Sequence, residues 1–153
     1  MESFSMSQYK RQSLNVYVGE IGETVAIRYL EKRGFKIASY MLLSDLLSPK
    51  PPLRYCPPDI DSFLGSMKKN FLEMKSALEK GSGGKEHRRR GFDFLAEREG
   101  KYYVVEVKTN SAQLSRTQKE ELLLSKKHGF IPLLVNTKVT LIANSEDVVM
   151  QFL

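Results

Sequence analysis

The chain has 153 residues, 41% hydrophobic and 27% charged, which is enough apolar content for one sizeable core and argues against disorder or a disulfide scaffold. Its lone cysteine, Cys56, has no internal partner, and with two histidines it leaves too few ligands for a His/Cys zinc cage. The net charge is +6, and residues 41–90 hold four of those charges, concentrated in Lys85-Glu86-His87-Arg88-Arg89-Arg90. Such a run suits a polyanion such as nucleic acid, or is simply a solvated loop.

The apolar stretches Tyr102–Val105 and Phe130–Val135 fall far short of the roughly 18–20 residues a membrane span needs. The start, MESFSMSQYKRQ, lacks the apolar centre of a signal peptide, so the reading is a cytoplasmic chain with no membrane partner. One domain over 1–153 is expected.

Gly19 to Gly34 (GEIGETVAIRYLEKRG) predicts a helix, because Ile21, Val25, Ala26, Tyr29 and Leu30 recur on one face. Ser13 is its expected cap and Gly34 its stop. Phe35–Tyr40 alternates like a short strand. Residues 44–58 hold five of the six prolines, which forbids long regular structure. Asp59–Leu78 has helical periodicity and ends in Lys80-Gly81-Ser82-Gly83-Gly84. Residues 41–90 therefore read as an insertion with a Pro-rich entry, one amphipathic helix and a Gly/Arg-rich exit.

GFDFLAER and KYYVVEVKT then predict two strands joined by a turn at Glu99-Gly100. Ser115 with Gln118 three residues on forms a capping box for a helix that closes at Gly129, with Leu122-Leu123-Leu124 in the core. FIPLLVNT reads as a buried strand, and KVTLIA and DVVMQF are expected to complete the sheet. The order predicts an α/β fold: a central mixed sheet flanked by helices, α-β-β-β-α-β, with the helical insertion at about 41–90.

A turn centred on Glu99-Gly100 makes paired positions sum to about 199, which sets Asp93 opposite Glu106. Two carboxylates that close repel unless a cation separates them, and a hard divalent ion with oxygen ligands serves. Lys108 lies two residues beyond Glu106 on the same strand face. Together the three suit metal-assisted phosphodiester hydrolysis. Glu-x-Lys alone means little, since Glu73-Met74-Lys75 and Glu99-Gly100-Lys101 also occur and the spacing can be an ordinary surface ion pair. Asp59 and Asp61 precede a helix and suit its N-terminus.

These residues resemble the PD-(D/E)xK nuclease superfamily, which has a restriction-endonuclease-like core. Gly91-Phe92-Asp93 stands for its first motif, with Phe92 where a proline is common, and Glu106-Val107-Lys108 for its second. The Gly19–Gly34 helix resembles the opening helix of the Holliday-junction-resolvase-like branch, and the likeness covers about 19–40 and 91–135. It implies a Mg²⁺-dependent DNA endonuclease, with Mn²⁺ as substitute, acting on branched or structured DNA. Asp93, Glu106 and the Val107 carbonyl would hold the metal, Glu23 would complete the site, and Lys108 would orient the attacking water. Gln118 matches an auxiliary polar residue of many members, although its capping box explains it equally well. Glu20 competes with Glu23 at nearly one turn's distance. Lys85, Arg88, Arg89 and Arg90 are the expected DNA contacts, and the resemblance also implies a homodimer. The alternative is a non-catalytic nucleic-acid-binding module that keeps the fold.

Overall fold

The computed structural model describes residues 4–46, 60–81, 91–143 and 148–152. Helix α1 (Phe4–Glu31) begins well before the expected cap at Ser13. No glycine or proline stands between residues 4 and 18, so nothing in the chain interrupts the helix there. It ends ahead of Gly34, as expected, where the Phe35 N–H donates to the Leu30 carbonyl at 3.2 Å. β1 (Lys36–Ser39) follows and leads directly into α2 (Tyr40–Leu46).

The single helix expected over Asp59–Leu78 is instead interrupted. α3 (Ile60–Leu64) passes through a 3-10 turn, Gly65–Met67, into α4 (Lys68–Gly81). Two causes lie in the surroundings. Gly65 takes a positive φ of 51°, and the Tyr102 hydroxyl donates to the Phe63 carbonyl at 2.8 Å, engaging an acceptor that a continuous helix would use.

β2 (Phe94–Arg98) and β3 (Lys101–Thr109) form the expected hairpin, with Glu99 and Gly100 both at positive φ. α5 (Arg116–Lys127) crosses over to β4 (Ile131–Thr137), which lies parallel to β3. The sheet is mixed, in the order β1-β2-β3-β4, and helices flank it. Within that sheet Pro132 sits on an edge strand, where a missing N–H breaks no ladder bond. β5 (Val139–Ala143) and β6 (Val148–Phe152) do not complete this sheet as expected; they pair with each other in a separate two-stranded one. Only Lys138 separates β4 from β5, too little chain to turn back alongside β4, and Asn110 Oδ1 accepts the Val139 N–H at 2.9 Å to bend the chain away.

Alternation along β2 and β3 feeds two cores. Leu95 and Val104 face one side, where Leu64, Phe71, Met74 and Leu78 of the 60–81 segment pack with Tyr40, Leu43, Phe92 and Phe130. Ala96, Val105 and Val107 face the other, against Ala26 and Leu30 of α1 and Phe35. The segment read as an insertion thus supplies five of the ten buried side chains of the first core, Leu43 among them. Leu122 and Leu124 pack on the first core, but Leu123 is 64% exposed, correcting its expected burial. Three successive residues span too wide an arc of a helix to share one buried face. Phe71→Ala is expected to cost about 3–5 kcal/mol in urea unfolding, and Leu123→Ala less than about 0.5 kcal/mol. Among the described residues no helix is long and apolar enough to cross a membrane.

Candidate active site

The ladder pairs Phe94 with Val105, so its positions sum to 199 and the next step sets Asp93 opposite Glu106. Asp93 lies just before β2, where the partner strand would otherwise leave an N–H of β3 unmet. Its Oδ2 accepts that N–H, from Val107, at 2.7 Å. On the chain's other side, the Tyr40 N–H donates to the Asp93 carbonyl at 3.4 Å. The ring of Tyr40 packs edge-on against Phe92, fixing the segment that carries the aspartate.

Glu106 is only 6% exposed. Gln118 Nε2 donates to its Oε1 at 3.0 Å, while Gln118 Oε1 accepts the Ser115 N–H at 2.9 Å. The Ser115 hydroxyl in turn takes the Gln118 N–H at 3.1 Å. The capping box and the contact with the candidate acid are therefore not alternatives. One side chain does both, and the helix cap holds the amide that holds the carboxylate.

The electrostatics follow from this crowding. Burial, and then the Asp93 charge, push the Glu106 carboxyl up to about 7, with Lys108 and the Asp93 backbone N–H opposing the rise. Burial also raises Asp93, against the Val107 N–H, Lys108 and a hydrogen bond with the Glu106 carboxyl. Glu23 is raised by its burial, then by Asp93 and by Glu20. Glu23 is half-buried and close enough to Asp93 to feel its charge, whereas Glu20 is exposed.

One acid that sequence reading did not single out also belongs here. Glu121 is 7% exposed, and its charge raises both Glu106 and Tyr40. The available signal is its position three residues after Gln118, on the same face of α5. Its neighbour Glu120 points away and pairs with Arg116 at 3.3 Å on the surface. Lys85, Arg88, Arg89 and Arg90 lie outside the described residues. A separate groove of about 1180 Å³ runs between α1 and β4, and none of the candidate residues lines it.

Among the described residues no three His, Cys, Asp or Glu side chains stand in metal-holding geometry. The donor chemistry nevertheless suits a hard cation. The Asp93 charge raises the proton affinity of both Glu23 and Glu106, and Asp93 and Glu106 share a hydrogen bond at the end of the β2–β3 ladder. Scans of family models, of curated proteins and of solved structures return no match for this chain.

Proposed function

We propose that this chain is a metal-dependent endodeoxyribonuclease of the PD-(D/E)xK type, with a restriction-endonuclease-like core, acting on branched or structured DNA. One observation carries the reading: Asp93 and Glu106 face each other at the end of a hairpin, with Glu106 clasped by Gln118 and with Lys108 two residues on. Buried carboxylates that oppose one another are costly in a purely structural setting and useful where a cation must be held.

Asp93, Glu106 and the Val107 carbonyl would hold Mg²⁺, or Mn²⁺ in its place, with Glu23 completing the acidic set. What the ion supplies when bound is a polarised phosphoryl oxygen and a water acidic enough to attack near neutral pH. Gln118 keeps Glu106 oriented, and the Val107 N–H does the same for Asp93. Lys108 supplies the compact positive charge that orients water against the scissile phosphate. The surplus positive charge of residues 41–90 suits the DNA backbone.

The test is incubation with plasmid, branched DNA and single strands in Mg²⁺, Mn²⁺ or EDTA. Cleavage that requires the metal and EDTA abolishes is the expected result, and binding without cleavage on every substrate would replace the enzyme with a binding module. Lys108→Ala is expected to slow cleavage by on the order of 10²-fold or more while Mn²⁺ affinity, read by calorimetry, stays unchanged. Lys108→Arg should recover little of the loss, since a planar guanidinium does not replace a point charge.

A further inference from the structure

Helix α1 packs on the sheet through Ala26 and Leu30 and, one turn before Ala26, through Gly22. Gly22 is buried against the paired ends of β3 and β4, where Thr109 stands beside Thr137 in the ladder. Their hydroxyls lie 2.9 Å apart, and Thr137 Oγ1 is also 3.5 Å from the Lys108 carbonyl. A methyl group placed on Gly22 would collide with Thr109 Oγ1 and come within 2.7 Å of Thr137 Oγ1 and 3.1 Å of Thr109 Cβ. Gly19, one turn earlier on the same helix, would meet nothing within 4 Å. Close approach is therefore a local property of the Gly22 contact and not of the whole helix.

The contact has a candidate site residue on each side. The next residue on the helix is Glu23, whose carboxyl feels Asp93; the residue before Thr109 on the strand is Lys108. We propose that Gly22 is a positioning residue: by letting α1 settle on the Thr109–Thr137 hydroxyl pair, it sets where Glu23 stands relative to Asp93 and Lys108. The inference rests on the metal-site reading for its importance, and on the helix-to-sheet spacing for its geometry. Helix propensity makes the choice informative, because glycine inside a helix is unfavourable against alanine. Alanine would be the better residue here if spacing did not matter. A misplacement of about 1 Å at a reacting group is worth up to about 10²-fold in rate.

Two readouts test it. In a Cys56→Ser background, Glu23→Cys with Asp93→Cys should be bridged by a short bis-maleimide; adding Gly22→Ala should abolish the bridge. Removing both hydroxyls, by Thr109→Ala with Thr137→Ala, should bring most of it back, since the colliding oxygens are gone and only the Cβ at residue 109, at 3.1 Å, still presses on the methyl. In the otherwise native chain, Gly22→Ala should weaken Mn²⁺ binding by about the 10-fold expected of Glu23→Gln, and the two changes together should lose no more than either alone. A thermal melt accompanies each variant, and a glycine that only packs would shift the melt while leaving the full effect of Glu23→Gln in place. Unchanged bridging in Gly22→Ala, or losses that multiply in the double variant, would overturn the inference. A parent chain that binds no Mn²⁺ while bridging still follows residue 22 would overturn the metal site and leave the positioning role standing.

Discussion

Asp93→Ala and Glu106→Ala are each expected to remove metal-dependent cleavage, by on the order of 10³-fold or more, with DNA binding equal to or tighter than in the parent. On the proposed reading each deletes an oxygen that would hold the metal, and each also removes negative charge that would face a phosphate backbone. The two differ in what they leave behind. Asp93→Ala strips the acceptor from the Val107 N–H, which adds a stability penalty of about 1–3 kcal/mol to the loss of charge. Asp93→Asn keeps an oxygen for that N–H, so its cleavage defect reports the missing charge alone. Full metal-dependent activity in Asp93→Asn or Glu106→Ala, measured on a plasmid time course, would remove these residues from the chemistry.

Glu106→Gln should do the opposite to stability. A carboxyl raised from about 4.5 to about 7 binds its proton more tightly folded than unfolded. Its stabilising share is therefore complete below about pH 4.5 and is lost as pH rises through about 7. The shift corresponds to about 3 kcal/mol. The metal-free protein should accordingly melt at lower temperature at pH 8 than at pH 5. Mn²⁺ should reverse that loss at pH 8 through preferential binding to the folded state. Glutamine keeps an oxygen for Gln118 Nε2 and has no charge to repel Asp93. Glu106→Gln should thus flatten the pH dependence and raise the pH 8 melting temperature while abolishing cleavage. A variant that melts lower than the parent at pH 8 would contradict the account of the buried pair.

The hairpin register and the cap of α5 were legible because they are local, whereas the cap expected at Ser13 falls inside α1. The Glu99-Gly100 turn admits one pairing of the flanking strands, and that pairing aligns Asp93 with Glu106. Ser115 and Gln118 are three residues apart and find each other without help from the rest of the fold. What escaped the sequence depends on partners far along the chain. The break at Gly65 involves Tyr102, the separate β5–β6 sheet involves Asn110, and Glu121 is buried near enough to Glu106 and Tyr40 for its charge to act on both. Periodicity marks the 60–81 helices as amphipathic but does not say what their apolar face meets. Gln118 lay between the two cases: its cap was visible, and its hold on Glu106 required knowing where α5 sits over β3.

The layer contributed by residues 60–81 limits how this protein can be engineered. A shortened gene that joins Tyr40 to Gly91 would look attractive, because it would leave every candidate site residue of the hairpin, α1 and α5 in place. It would also delete Leu43, Leu64, Phe71, Met74 and Leu78, half of the buried side chains of the core that Leu95, Val104 and Phe130 share on one side of the sheet. Such a product presents a broad apolar surface to water and is headed for aggregation. Grafting this hairpin onto another scaffold meets the same demand, since Asp93 sits beside Phe92, whose ring is braced by Tyr40 and through it by Phe71. Any portable version of the site has to bring its own lining for that face.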